Sequence, residues 1–346
     1  RIERKTGPGH TGFSFDTAAS VTLEEDLARR DLTINAIAKD QDDNIIDPFN
    51  GVADLRAGIL RHVSDAFVED PLRVLRTCRF AARFGFEIAP ETQHLLTKIS
   101  ASGELETLPA ERVWQEIERA LGERKPESFV RTMRECGALA TLLPEVDNLF
   151  GVPQPEKYHP EIDTGEHIYL ALKQAASVNS STAVRFAVLV HDVGKGLTAP
   201  ELLPKHTGHE QAGVPLVENI ASRLRVPKNY RELAIAVTKS HLRIHCAQEM
   251  RANTLLKLLE SLDAIRRPER LEEILLVCWA DATGRTGLED ESYPASNYVR
   301  AAAAAVKEVS AAKIKQACPT DGDFVDALRL ARINALKNFI ATQIHS

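Results

Sequence analysis

The chain holds 346 residues, about twice a typical domain of ~150, which points to two or three units. Its 43 Lys plus Arg against 49 Asp plus Glu give a formal net charge of −6, which excludes a globally basic coat for nucleic acid, so any anionic ligand must be met locally. Hydrophobic residues at 44% with aromatics at only 5% favour packed helices over an all-β sandwich, and the expected fold class is mostly α with a small α+β N-terminal part.

The cysteines, Cys78, Cys136, Cys246, Cys278 and Cys318, are odd in number and never spaced as CxxC. That argues against a disulfide framework or a cysteine zinc site and fits a reducing cytoplasm. No run reaches the ~18 apolar residues of a membrane span, and the opening Arg-Ile-Glu-Arg-Lys lacks the core of a signal peptide. A soluble, cytoplasmic protein is expected, as a monomer or homodimer.

In chain order, residues 1–65 alternate short apolar runs with Gly, Asp and Asn. Thr22 and Glu25 have the spacing of a capping box, and residues 34–38 and 45–46 read as two strands joined by a polar turn. From Glu69 to about 143 the pattern is helical: Asp70-Pro71 opens one helix and Pro109 another, and Gly85 and Gly122 follow helical stretches. Four prolines between 144 and 163 mark a boundary. Helices are then expected at 182–190, 213–224, 230–240 and 271–281, with a small-residue helix around 301–305. The divisions expected are 1–65, 66–150, 151–290 and 291–346.

The stretch from Glu69 to Arg83 puts Arg73, Arg76, Arg79 and Arg83 within about a third of a helical circumference, opposite Val74, Leu75, Cys78, Ala81 and Ala82. A solvated charged face is the commoner meaning of such a stripe. Guanidinium forks also match phosphate oxygens. Asp70, one turn before Arg73, adds an acceptor to a fork donor, a combination suited to the Watson–Crick edge of a base.

Two further phrases, Arg29-Arg-Asp-Leu-Thr-Ile-Asn35 and Asp47-Pro-Phe-Asn-Gly51, complete a pattern. Together with EDPLRVLR and ERVWQEIERAL, they resemble in order the bacterial tRNA nucleotidyltransferases, the CCA-adding enzymes, and the likeness is closest to members that carry an HD domain. The resemblance implies a head, neck, body and tail architecture that binds tRNA and selects CTP or ATP with side chains, Asp70 and Arg73 reading the base. It further implies that Arg30, Arg76 and Arg79 contact the nucleotide, and that Asp47 and Asn50 form a structural or hinge element. It also implies Mg²⁺ held by carboxylates on a strand after a Gly-Gly turn, and this sequence has no Gly-Gly pair followed by Asp-x-Asp. Asp40, Asp42 and Asp43 lie in the polar turn and are expected to be solvated, so the head is read as incomplete, binding nucleotide without transferring it.

Seven of the 11 histidines, His159, His167, His191, His206, His209, His241 and His245, lie between residues 159 and 245. An apolar helix ends in His191-Asp192, where Gly194 lets the chain turn away, and another ends in Cys278-Trp-Ala-Asp281 before Gly284. His167 lies in a helix that Thr164 is expected to cap. Neutral imidazole plus carboxylate suits divalent transition metals. The set His167, His191, Asp192 and Asp281 resembles the HD phosphohydrolase superfamily, which uses a bound metal to activate water against phosphate esters. The resemblance implies Lys195 near the phosphate, with His191, Asp192 and Lys195 as the catalytic group. It also implies 2′-nucleotidase, 2′,3′-cyclic phosphodiesterase and phosphatase activities, often with Ni²⁺. His209 and His241 either complete this site or lie on the surface; His10, His62, His94 and His345 receive no functional role. The alternatives are a stand-alone HD phosphohydrolase with a decayed transferase half and, less favoured by the acidic total, a tRNA-binding adaptor.

Overall fold

The computed structural model describes residues 2–5, 13–16, 22–318 and 320–344; Arg1, His10 and His345 lie outside them. Strands β1 (Ile2–Lys5) and β2 (Phe13–Asp16) pair antiparallel. Helix α1 (Leu23–Ala28) has the expected capping box, the Thr22 hydroxyl accepting from the Glu25 N–H and the Glu25 carboxylate from the Thr22 N–H. Strands β3 (Ala38–Lys39) and β4 (Ile45–Ile46) form the hairpin expected from the polar turn, which Asp40 closes by accepting the Asp42 and Asn44 N–H groups.

The strand expected over 34–38 is shorter than its apolar residues suggest, because Thr33–Asn35 coils into a 3-10 turn against α2 (Gly51–Ala57). Thr33 donates its hydroxyl to Asp54, and a Cβ at Gly51 would stand 2.1 Å from the Thr33 carbonyl oxygen, so only glycine permits the approach. Asp47 caps α2 by accepting from the N–H groups of Gly51 and Val52.

Strand β5 (Ile59–Leu60) pairs parallel with β6 (Glu87–Ile88) across α3 (Leu72–Phe84), which Gly85 terminates at φ 69°. The face of α3 carrying Val74, Leu75, Cys78, Ala81 and Ala82 is buried, as its periodicity predicts. Helices α4 (Pro90–Ala101), α5 (Ala110–Gly122), α6 (Pro126–Glu135), α7 (Ala138–Leu142) and α8 (Pro144–Asp147) complete this half, α5 and α6 packing on α3.

The second half is α9 (Thr164–Ser177), α10 (Thr182–Val190), α11 (His209–Arg223), α12 (Lys228–His245), α13 (Ala252–Ser261), α14 (Pro268–Thr283), α15 (Pro294–Lys307), α16 (Ala311–Ala317) and α17 (Asp321–Ile344). Helix α10 coincides with its expected span, whereas α11, α12 and α14 extend beyond theirs. The turns added to α11 and α12 include His209 and His241, buried polar residues for which hydrophobic periodicity gives no signal. Asp163, not Thr164, caps α9, its carboxylate accepting from the N–H groups of Gly165 and Glu166. Trp114 of α5 meets Phe186 of α10 and Tyr230 of α12 edge-on, with ring centroids 5.3 and 5.1 Å away, so one apolar core runs through both halves.

Candidate functional site

Five helices deliver the histidine cluster. His167 comes from the first turns of α9, His191 and Asp192 from the end of α10, His241 and His245 from the last turns of α12, and Asp281 from the end of α14, with His209 opening α11. All but His245 are nearly inaccessible to solvent.

Gly194 acts differently from the turn expected of it. A Cβ there would lie 2.0 Å from the His209 carbonyl oxygen, so its absence lets the backbone after Asp192 pack directly on the start of α11. This contact brings His209 to Asp192.

The ring orientations are fixed from behind. The Nδ1–H groups of His191, His209 and His241 donate to the carbonyls of Val188, His206 and Val237, at 2.8, 2.7 and 3.2 Å. A carbonyl only accepts, so each Nε2 carries a lone pair. The His209 and His241 Nε2 atoms stand 3.4 Å apart, and Asp192 Oδ1 lies 3.3 and 3.5 Å from them. His191 Nε2 lies 3.3 Å from Asp192 Oδ2 and 3.8 Å from Asp281 Oδ1, and His167 Nε2 lies 3.1 Å from Asp281 Oδ1.

These donors form two adjoining triads, His167–His191–Asp281 and Asp192–His209–His241, the donor atoms of each within 4.8 Å of one another. His191 Nε2 and Asp192 Oδ1 are buried without a hydrogen-bond partner, and His167 Nδ1 is approached by the Glu161 carboxylate at 3.1 Å. The lone pairs of His191, His209 and His241 converge on the Asp192 and Asp281 carboxylates, a donor set that fits a divalent cation.

Burial alone raises the carboxyl pKa values of Asp192 and Asp281, but their polar neighbours outweigh it: His191 and Lys195 beside Asp192, and His245 and His167 beside Asp281, hold both well below the usual carboxylate range. Lys195 turns inward, donating to Asp192 Oδ2 at 2.6 Å and Gln154 Oε1 at 2.8 Å. His245 donates its Nε2–H to Asp281 Oδ2 at 2.7 Å and accepts at Nδ1 from the Tyr293 hydroxyl, which fixes Asp281 from outside.

The proline-bearing residues 150–163, expected only to mark a boundary, reach into this site. Gln154 touches Lys195, and Glu161 Oε1 lies 3.0 Å from His159 Nδ1 and 3.1 Å from His167 Nδ1. Burial lowers the His159 pKa to about 4.

A second site lies beside α3. A cleft of about 510 Å³ is lined by Arg29, Arg30, Asp31, Asp70, Arg73, Arg76 and Arg112, among others. Asp70 Oδ2 accepts from Arg112 Nη2 at 3.0 Å, while Arg73 donates to the carbonyls of Ala66 and Arg29 at 2.7 and 2.6 Å. Arg76 pairs with Asp31 at 2.7 Å, and Arg30 with Asp26 at 2.9 Å.

Arg79, expected in this arginine group, does not line the cleft. It is buried and donates through Nε to Glu116 of α5 at 2.7 Å, so the four arginines of α3 do not form one solvated face. Arg112 joins the cleft instead. It stands in the phrase that opens α5, but nothing in its local pattern shows that it folds back onto Asp70.

Residues 5–61 match the poly A polymerase head domain, residues 85–150 the probable RNA- and SrmB-binding site of polymerase A, and residues 164–286 the HD domain. The chain is 54% identical, over 99% of its length, to the multifunctional CCA protein of Thioalkalivibrio sulfidiphilus, of which it spans 84%. The chain belongs to the multifunctional CCA protein family. Its identity to the Pseudomonas fluorescens member is 52% over 98% of this chain and 84% of that one.

The CCA family fold is also seen in the Bacillus stearothermophilus CCA-adding enzyme in complex with CTP, at a TM-score of 0.62 and 22% identity, covering 95% of this chain and 72% of that one. The Thermotoga maritima CCA-adding enzyme complexed with tRNA gives a TM-score of 0.58 at 18% identity, over 93% and 74% of the two chains. As a CCA family member with an HD domain, the chain is an enzyme of the nucleotidyltransferase class. Its His and Asp clusters lie in the HD-matched residues, with His159 and Glu161 just before them.

Proposed function

We propose that the α9–α14 cluster is a divalent-metal phosphohydrolase site that opens 2′,3′-cyclic phosphates and removes 2′-phosphates from tRNA ends, beside a cleft that binds CTP and ATP. The convergence of the unpartnered His191 Nε2 and Asp192 Oδ1 with the lone pairs of His209 and His241 carries the first part of this reading. His167, His191, Asp192 and Asp281 would hold the metal, with His209 and His241 completing the set. Ni²⁺ and other divalent transition metals suit these donors comparably. Bound there, the metal supplies Lewis acidity toward a phosphate oxygen and lowers the pKa of an attacking water. Lys195 keeps Asp192 ionised, and the backbone carbonyls of Val188, His206 and Val237 hold the three rings in the ligating tautomer.

In the α3 cleft, the same reading gives Asp70 and Arg73 the base edge and Arg30 and Arg76 the phosphate; an open, arginine-lined cleft supports it over a decayed scaffold. The acids of the β3–β4 turn do not fit the Mg²⁺ pair of nucleotidyl transfer. Asp40 spends both oxygens on Asp42 and Asn44, and Asp43 pairs with Lys39. We therefore read the chain as given as a nucleotide binder that transfers none.

One experiment with two arms tests this. Loaded with Ni²⁺, the chain should hydrolyse 2′,3′-cyclic AMP, and both His191→Ala and chelation should return the rate to background. With Mg²⁺, CTP and a tRNA lacking its 3′ CCA, it should bind CTP and incorporate no CMP. An inert nickel form refutes the hydrolase, and CMP incorporation refutes the transferase half.

A further inference from the structure

We propose that Glu161 is a positioning residue for the HD site, setting the tautomer of His167 so that its Nε2 lone pair is available to a cation; this rests on the metal reading above. His167 stands between two carboxylates, with Glu161 Oε1 3.1 Å from Nδ1 and Asp281 Oδ1 3.1 Å from Nε2. A neutral imidazole carries one ring proton, so only one nitrogen can serve as a donor. With the proton on Nδ1, facing Glu161, the Nε2 lone pair joins His191 and Asp281. With the proton on Nε2, His167 would hydrogen-bond Asp281 and withdraw both itself and that carboxylate from a metal.

Glu161 is built for this task rather than left in place by a linker. Its side chain is 4% exposed, yet it is held from several directions. His159 Nδ1 lies at 3.0 Å, Gln154 Nε2 at 3.5 Å, and the Thr286 N–H reaches Oε2 at 3.4 Å. Ile162 takes a left-handed φ of 60°, and Asp163 caps the helix that carries His167, which places the carboxylate directly before that helix. Arg285, one turn after Asp281, ties the same segment down through the Tyr158 carbonyl. A buried carboxylate on the far nitrogen of a ligating histidine raises the basicity of the ligating nitrogen and fixes the ring, and its loss typically weakens metal binding about 10- to 100-fold.

The test uses the full chain, Ni²⁺ alone and the isosteric Glu161→Gln substitution. Calorimetric titration should show a dissociation constant raised about 10- to 100-fold, at an unchanged thermal midpoint. In the metal-free protein, two-bond nitrogen–proton correlation of the imidazoles, with His167 assigned through His167→Gln, should show the Nδ1–H tautomer in the unsubstituted chain. The Nε2–H form should gain population in Glu161→Gln. Glu161→Asp, which keeps the charge, should recover part of the affinity. An Nε2–H tautomer in the unsubstituted chain overturns the proposal even if Glu161→Gln folds poorly, and so does unchanged nickel affinity in that variant. If the unsubstituted chain binds no Ni²⁺ through His191, the metal reading itself fails; nickel binding that survives Glu161→Gln removes only the role of Glu161.

Discussion

Arg79 and Glu116 face each other at 2.7 Å with side-chain exposures of 8% and 4%, so each charge relies on the other for the solvation that water no longer supplies. Glu123 adds a longer contact at 3.5 Å. Removing one member of such a pair strands its partner, and Glu116→Gln is expected to destabilise the fold by about 3–5 kcal/mol. Urea denaturation should show this as a lower midpoint at unchanged slope; a midpoint within error of the unsubstituted chain would mean that Arg79 finds water in solution. The pair also shows where reading α3 alone stops. The 100° spacing correctly separates the buried Val74, Leu75, Cys78, Ala81 and Ala82 from the arginines. It carries no information about which partner helix approaches, and α5 brings a carboxylate to one arginine of the stripe. Asp70 and Arg112 present the same limit, since 42 residues separate the two sides of that contact.

At the level of elements, capping residues and prolines located the starts of α1, α3 and α5, and the apolar run of α10 marked its full length. What they did not give was the reason for a given glycine or the fate of an irregular stretch. Gly194 reads as a turn, yet its value lies in the direct contact between the backbone after Asp192 and the start of α11. Gly194→Ala would place a methyl 2.0 Å from the His209 carbonyl oxygen and 2.7 Å from the Gly213 nitrogen, both backbone atoms that cannot swing aside. Overpacking of this kind costs about 1–3 kcal/mol, and here relief requires α11 to move and take His209 away from Asp192. Thermal unfolding should show a lowered midpoint and nickel titration a weaker site; an unchanged affinity would separate His209 from metal binding. Residues 150–163 teach the complementary lesson. Proline density over 144–163 fails at its start, where Pro144 opens α8, and holds over 150–163, yet that irregular segment, anchored at Asp163 and Arg285, still delivers Gln154, His159 and Glu161 to a buried centre.

Across the whole molecule, helix α3 and the histidine cluster are joined through buried polar contacts as well as through the apolar core. Arg185, 3% exposed in the middle of α10, donates through Nη1 to the carbonyls of Leu121 and Glu123 at the end of α5, at 2.7 and 2.9 Å. The Glu123 side chain contacts Arg79, and α10 leads directly into His191, so a continuous chain of contacts runs from α3 to the histidine cluster. Arg185→Met keeps much of the side-chain volume but leaves the two carbonyls without this donor, and each unsatisfied buried group costs about 1–3 kcal/mol. Because that loss falls between the halves, it should weaken their cooperation more than either half alone. The two tryptophans make this measurable: Trp114 sits against Phe186 and Tyr230 where the halves meet, and Trp279 lies on α14 within the HD bundle. In chains keeping one tryptophan each, urea transitions should coincide when Arg185 is present. In Arg185→Met the Trp114 transition should move to lower urea ahead of that of Trp279, and transitions that stay coincident would show that the apolar core alone couples the two sites.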